Sequence, residues 1–333
     1  MKRRDAARAL ALAPLAGSPL AWSGLARAQP ASPARWSPGR PVRLMVSFAP
    51  GGSTDISARL IADAIAAPLG QPVVVENRVG AAGNLASEAV ARSAPDGHTF
   101  VVASVGTHAT NQFLYPDIPF HVVDDFTPVS LVLVSGCVLV VHPSLPATSV
   151  AELIALARAR PGALDMGTSG AGGTQHFAGA LFEEQAGVSF THVPYRGGAP
   201  AMADLLAGRV QVIFSPLAEA MPYIASGQIR PLGVSRTRPM PALPEVPPIA
   251  ETVGGYEFNS WIGLFGPARM PEPIVERVSA AVAEAVRAPA TRRRMEELGY
   301  LPAGGSAAEM ARLQRDDVTL MERLVRLTGA ASR

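Results

Sequence analysis

Two glycine-rich segments contain the residues whose types and spacing best suit the binding of a small anion. Their candidate binding residues are Pro50, Gly51, Gly52, Ser53, Thr54 and Asp55 in the first, and Thr168, Ser169, Gly170, Ala171, Gly172, Thr174 and His176 in the second. Each segment follows an apolar run and precedes a helical pattern. Glycine lets a backbone approach a ligand, and a helix N-terminus offers unpaired N–H groups and the positive end of the helix dipole. The pattern predicts a carboxylate cradle, with an ordinary strand-to-helix turn as the alternative.

The polar side chains of these segments have a structural and a ligand-binding interpretation each. The hydroxyl groups of Ser53, Thr54, Ser169 and Thr174 can contact a ligand or cap the helix that follows. Asp55 would repel a carboxylate, so a role in holding its own loop is favoured over ligand contact. His176, in the first helical turn, can donate to a ligand or bond locally.

Other binding and catalytic chemistries find little support in the residues. No Lys follows Gly52 at the spacing of a P-loop, and residues 51–56 lack the dinucleotide pattern G-x-G-x-x-G. Ser169 lacks the G-x-S-x-G spacing of a nucleophile elbow, the six histidines lack metal-ligand spacing, and Cys137 is the single cysteine. We therefore predict no catalytic residue, metal or cofactor. An exported serine hydrolase that uses Ser169 with His176 is the rival hypothesis.

The first 28 residues have the pattern of a secretory signal peptide. A basic start is followed by an apolar run and by Ala26, Arg27 and Ala28, which form a small-x-small cleavage site. The whole chain has 29 basic and 27 acidic residues, and residues 1–28 hold five basic and one acidic, which leaves 24 basic and 26 acidic. We predict cleavage after Ala28, a periplasmic protein and no binding of nucleic acid.

The remaining chain alternates strand and helix patterns, which predicts parallel α/β sheets. Ligands of such sheets bind beyond the carboxyl ends of the strands, which adds Ser104 and Thr107 to the candidate residues. Pro68 is expected to close the first helix. Strands are predicted at residues 42–48, 72–76, 99–104, 129–134, 138–141, 164–167, 190–193, 210–214, 229–235 and 258–266. Helices are predicted at residues 56–65, 85–92, 150–159, 175–185, 200–207, 217–225, 273–287, 290–298 and 307–327.

Five short strings together resemble a known family. They are residues 48–55 (FAPGGSTD), 75–84 (VENRVGAAGN), 95–99 (PDGHT), 193–198 (VPYRGG) and 204–208 (DLLAG). The chain resembles the Bug-family (TctC-like) extracytoplasmic receptors of tripartite tricarboxylate transporters over residues 37–328.

The resemblance implies a type II periplasmic-binding-protein fold, with a ligand cleft between two α/β lobes. Lobe I would comprise residues 37–135 and 259–333, and lobe II residues 136–258. The implied function is the capture of a small carboxylate-bearing metabolite by a monomer that docks on integral-membrane transporter subunits. An alternative partner is a sensor kinase.

Two further residues are candidates on the basis of this resemblance and of their loops. Arg196 is the one cation in a candidate cleft loop, where it can clamp a distal carboxylate or remain solvated. Ser215 stands where relatives often carry an acidic residue. The resemblance therefore implies one partner fewer for a positively charged ligand group, which argues against an amino-acid ligand.

Overall fold

The computed structural model describes residues 36–115 and 117–330, so the predicted signal peptide lies outside the described residues. Ten strands occupy β1 Val42–Val46, β2 Val73–Asn77, β3 Thr99–Ser104, β4 Phe126–Val141, β5 Asp165–Thr168, β6 Thr191–Pro194, β7 Val212–Pro216, β8 Arg230–Val234, β9 Asn259–Pro267 and β10 Leu301–Gly305. Ten α-helices occupy α1 Ser53–Leu69, α2 Asn84–Ala91, α3 Asn111–Leu114, α4 Val150–Ala159, α5 Thr174–Ala186, α6 Gly198–Leu206, α7 Leu217–Ala225, α8 Glu272–Arg287, α9 Pro289–Glu297 and α10 Ala307–Thr328.

The strands form two sheets that share one long strand. In the first sheet the order is β2-β1-β3-β9-β4, with β10 also on β4; in the second it is β4-β7-β5-β6, with β8 also on β4. The pairs β1–β2, β1–β3 and β5–β6 are parallel, whereas β9 runs antiparallel to β3 and β4. The strand-to-helix alternation thus gives the predicted parallel core, and β4 and β9 join it to the second sheet.

The strand β4 passes from one sheet to the other without a break. Gly136 is the last residue of β4 that pairs with β9, and Cys137 is the first that pairs with β7. The prediction of two separate strands here is wrong. Ser135 and Gly136 are weak strand formers, and this composition predicts the end of one strand and the start of another. Pairing with Asn259 and Ser260 keeps the segment extended instead.

Apolar side chains cover both faces of each sheet. On the first sheet, α1 and α8 pack over one face through residues such as Ile61 and Val278, and α2 and α10 pack over the other. On the second sheet, α5 contributes Phe182 to one face, and α6 contributes Met202 to the other. Burial on both faces explains the near-continuous apolar sequence of strands such as β3.

The end of the first helix and one additional strand differ from the predictions for identifiable reasons. The first helix continues through Pro68 to Leu69 and ends at Gly70, whose φ of +74° is left-handed. The strand β10 was not predicted because Pro302, Gly304 and Gly305 give its sequence the composition of a turn. No helix of the described residues combines the length and apolar character needed to cross a bilayer.

Candidate functional site

The loop before α1 places the start of the helix at the carboxyl end of β1. Gly51 has a left-handed φ of +86°, and Gly52 is extended, with φ −77° and ψ 166°. Gly52 is the N-cap of α1, and no side chain caps the helix. Of the two alternatives for Ser53 and Thr54, capping of α1 does not occur, because both residues lie inside its first turn. Their backbone N–H groups are among those that have no acceptor within the helix.

The loop before α5 repeats this backbone geometry. Gly172 has a φ of +76°, and Gly173 is the extended N-cap, with φ −77° and ψ 162°. Thr174 is the first residue of α5, so the expectation that it caps the helix is also wrong. Gly172, Gly173 and Thr174 thus correspond to Gly51, Gly52 and Ser53 in the other loop. We call these two triplets the first and the second cradle.

In each cradle the left-handed glycine donates to a side chain one helical turn later. The N–H of Gly51 donates to Oδ2 of Asp55 at 2.9 Å. Asp55 also accepts from Arg59 Nε and Nη2 at 3.0 and 2.9 Å and from Asn77 Nδ2 at 2.9 Å. These bonds, chiefly the one from Arg59, lower the pKa of Asp55 to about 2. The carboxylate is therefore ionised, and all of its recorded bonds hold the loop.

In the second cradle the N–H of Gly172 donates to Nδ1 of His176 at 3.0 Å. A ring nitrogen that accepts a hydrogen bond is unprotonated, and burial together with the nearby His192 lowers the pKa of His176. His176 is consequently a neutral loop anchor. No hydrogen bond between Ser169 and His176 occurs among the described residues, so the geometry gives no support to the hydrolase hypothesis.

Both cradles line one cavity of about 490 Å³. Its wall is formed by Phe48, Gly52, Ser53, Thr54, Ser104, Val105, Gly106, Thr110, Gly172, Gly173, Thr174, Phe177, Phe258 and Ser260. No charged side chain belongs to this wall in the described part of the chain. Hydroxyl groups and helix N-termini supply the polarity, and three phenylalanines supply the apolar surface. Such a cavity attracts an anion through backbone dipoles rather than through a cationic side chain.

Several predicted residues lie beside this cavity without lining it. In the two loops these are Pro50, Gly51, Asp55, Thr168, Ser169, Gly170, Ala171 and His176. Thr107 is fully buried, and its Oγ1 accepts from the backbone N of Ser104 at 3.1 Å. Ser215 is also fully buried and donates to the carbonyl of Pro216 at 3.1 Å. Arg196 is exposed, and within residues 36–115 and 117–330 it does not contribute to the cavity wall.

The cavity continues into a second compartment of about 380 Å³. The two share Ser53, Thr174 and Ser260, and the second is otherwise lined by Ser135, Gly136, Cys137, Pro216, Leu217, Ala218, Glu219, Gly299 and Tyr300. Among the residues that the structure describes, Glu219 is the one charged side chain on this wall. Burial raises the pKa of the Cys137 thiol to about 12, so this cysteine is present as an unreactive thiol.

Several residues of the two walls were not predicted, although sequence features indicate some of them. Gly106 and Thr110 belong to a single π-helical turn, residues Gly106–Thr110, which follows the predicted end of β3. Glu219 follows the carboxyl end of β7, so the rule that identified Ser104 also applied to it. Phe258 and Ser260 lie where the chain returns to the first sheet, and no local pattern indicates that they reach the cavity.

Comparison with known proteins identifies the family to which this chain belongs. A family model described as "Tripartite tricarboxylate transporter family receptor" matches residues 57–329. Protein BugT of Bordetella pertussis (strain Tohama I) is 34% identical over 296 residues, which cover 88% of this chain and 90% of BugT.

Two similar solved structures contain bound dicarboxylates. Rpa4515 of R. palustris, solved with adipate, is 39% identical with a TM-score of 0.73, and the match covers 88% of this chain and 98% of that one. MatC (Rpa3494) of Rhodopseudomonas palustris, solved with malate, is 33% identical with a TM-score of 0.69, covering 86% and 99%. The chain belongs to the tripartite tricarboxylate transporter receptor family of TctC/Bug-type periplasmic binding proteins, which bind solutes and are not enzymes.

Proposed function

We propose that this protein captures a small dicarboxylate in the cavity between its two cradles. The observation that carries the proposal is the repeated backbone geometry: two extended N-cap glycines, Gly52 and Gly173, start two helices that line the same cavity. Each helix start offers N–H donors and a positive dipole end to one carboxylate. A ligand with a carboxylate at each end satisfies both.

The ligands of two relatives agree with this chemistry. Rpa4515 was solved with adipate and MatC with malate, and both molecules carry two carboxylates. The candidate contacts of the present chain are Gly52 and Ser53 of the first cradle, the adjoining Thr54, and Gly172, Gly173 and Thr174 of the second cradle. Ser104 lines the same wall.

We also propose that the two sheets belong to two lobes that close over the ligand. Lobe I would comprise residues 37–135 and 259–333, and lobe II residues 136–258. The change of sheet within β4 at Gly136 and Cys137, and the start of β9 at Asn259, supports these boundaries. The first cradle then belongs to lobe I and the second to lobe II, so a bridging ligand stabilises the closed form.

The proposed partners are the integral-membrane subunits of a tripartite tricarboxylate-type transporter, which would accept the ligand from the closed receptor. Family membership supports this pairing. The proposed location is the periplasm, after cleavage of the signal peptide behind Ala28.

The test is calorimetric titration of the wild-type protein with succinate and with its mono-amide, succinamate. Charge-assisted hydrogen bonds to one carboxylate contribute about 2 kcal/mol net, which corresponds to roughly thirtyfold in affinity. The two compounds have similar apolar area, so burial does not supply the difference. Equal affinities would show that only one cradle binds a carboxylate, and the absence of binding for every small carboxylate tested would refute the proposed function.

A further inference from the structure

Glu219 occupies a helix position at which a glutamate usually bonds back to its own chain. It is the third residue of α7, and the third residues of α4 and α10 are also glutamates. Glu152 of α4 accepts from the backbone N–H of Thr148 at 2.6 Å, and Glu309 of α10 accepts from the N–H of Ser306 at 2.7 Å. Such bonds satisfy a backbone donor at the helix start.

The bond that Glu309 makes to its own N-cap residue is not open to Glu219, because the N-cap of α7 is Pro216 and proline has no N–H. Among the residues that the structure describes, the Glu219 carboxylate has no hydrogen-bond or ion-pair partner. Glu219 is exposed and lines the second compartment with Ser135, Ser260 and Tyr300. Gly198 leaves it room, since a Cβ at that position would overlap Oε2 of Glu219.

The surroundings give this carboxylate no compensating charge. No Arg or Lys is found on the described wall of either compartment. The charge distribution of the cavity is therefore asymmetric. The cradles favour an anion at one end, and the second compartment presents a single unpaired acceptor at the other.

We propose that Glu219 is a specificity-determining residue which binds a protonated amino group at the far end of longer ligands and rejects a second carboxylate there. This inference rests on the proposed carboxylate function. A four-carbon diacid is held between the cradles, whereas a ligand that extends past Ser53 and Thr174 enters the second compartment and meets Glu219. Specificity of this kind combines an attraction for one ligand end with a repulsion of the other.

The test is calorimetric titration with adipate and with 6-aminohexanoate, which have the same chain length and differ at one end. The proteins are wild type, Glu219→Gln and the control Glu245→Gln, which removes an exposed charge outside both compartments. We expect wild type to bind 6-aminohexanoate about tenfold or more tightly than adipate, and Glu219→Gln to abolish or reverse that preference. Glu245→Gln should retain it, and succinate should bind all three proteins equally.

Each other outcome overturns the inference. A ratio of affinities that is the same in wild type and Glu219→Gln would show that the carboxylate does not meet the ligand. If wild type binds adipate more tightly than 6-aminohexanoate, the second compartment does not favour a protonated amino group over a carboxylate. If succinate binds while neither six-carbon compound does, ligands do not extend into the second compartment and only this inference fails. If no carboxylate binds, the proposed function fails with it.

Discussion

The substitution Asp55→Asn tests whether a buried charge holds the first cradle in its binding geometry. Asp55 is 2% exposed and accepts hydrogen bonds from Gly51, Arg59 and Asn77. Asparagine has the same shape but no charge, and it presents a donor where one of the carboxylate oxygens accepts. We expect the variant to fold, to be less stable than wild type, and to bind succinate more weakly because the loop of Gly51 and Gly52 is less ordered.

The pKa of Asp55 sets the size of this effect. A folded-state pKa of about 2 against an ordinary value of 3.8 corresponds to about 2.4 kcal/mol at neutral pH. Arg59, the largest contributor, has a side chain that is 50% exposed, so screening by solvent lowers the expected loss to about 1–2 kcal/mol. Because the folded pKa is depressed, this stabilisation is fully present well above pH 3.8 and is lost as pH falls towards 2.

The assay is urea unfolding of wild type and Asp55→Asn at several pH values from 7 to 3. About half of the difference in the free energy of unfolding should disappear by pH 3. A difference that stays constant over this range would show that the charge of Asp55 is not what stabilises the loop. A destabilised variant with unchanged succinate affinity would separate loop stability from binding and refute the link between them.

Three further predictions concern the cradles, a buried acid and the exposed cation. Gly52→Val should weaken succinate binding at least about tenfold in titration. The same substitution should cost little stability, because the backbone of Gly52 is extended and the nearest heavy atom to a new Cβ is the Ala49 carbonyl oxygen at 3.6 Å. Gly172→Val should instead lower the free energy of unfolding by about 1–3 kcal/mol, because valine is strained at a φ of +76°; equal stabilities would contradict this contrast. Asp317→Asn should raise the free energy of unfolding by at most about 3 kcal/mol at pH 7.5 and leave it unchanged below pH 3.8. The reason is that burial raises the pKa of Asp317 to about 6, so ionisation of this carboxyl destabilises the fold as pH rises. A difference in stability that does not depend on pH would contradict this prediction. Arg196→Gln should change succinate affinity less than about twofold, because its side chain lies outside the cavity wall, and a complete loss of binding would show that the side chain clamps the ligand.

The position of the cavity lined by the two loops was predictable because it depends on topology and on glycine. An apolar run, a glycine pair and a helical pattern occur twice, and parallel strands bring such loops to the same edge of a sheet. This reasoning also identified Ser104. The same rule, applied at the end of β7, indicates Glu219. The prediction instead named Ser215, where relatives often carry an acidic residue, and the fold buries that serine.

The internal geometry of the loops could not be predicted from the sequence. The sequence does not show which glycine of each pair is left-handed and which is the extended N-cap, and this difference decides that Gly52 corresponds to Gly173 rather than to Gly172. It also decides that Asp55 and His176 bond to backbone N–H groups instead of lining the cavity. The continuity of β4 through Ser135 and Gly136 depends on pairing with β9, which is distant in sequence.

The proposed binding of a small carboxylate in the cavity between the cradles can be examined without choosing a ligand in advance. The measurement is native mass spectrometry of wild type and Gly52→Val, each purified from the periplasm of the same cells. We predict that wild type carries a small molecule which is released on denaturation and contains at least one carboxyl group, and that Gly52→Val lacks it. A bound molecule without a carboxyl group, or the same ligand retained at equal occupancy by Gly52→Val, would contradict the account.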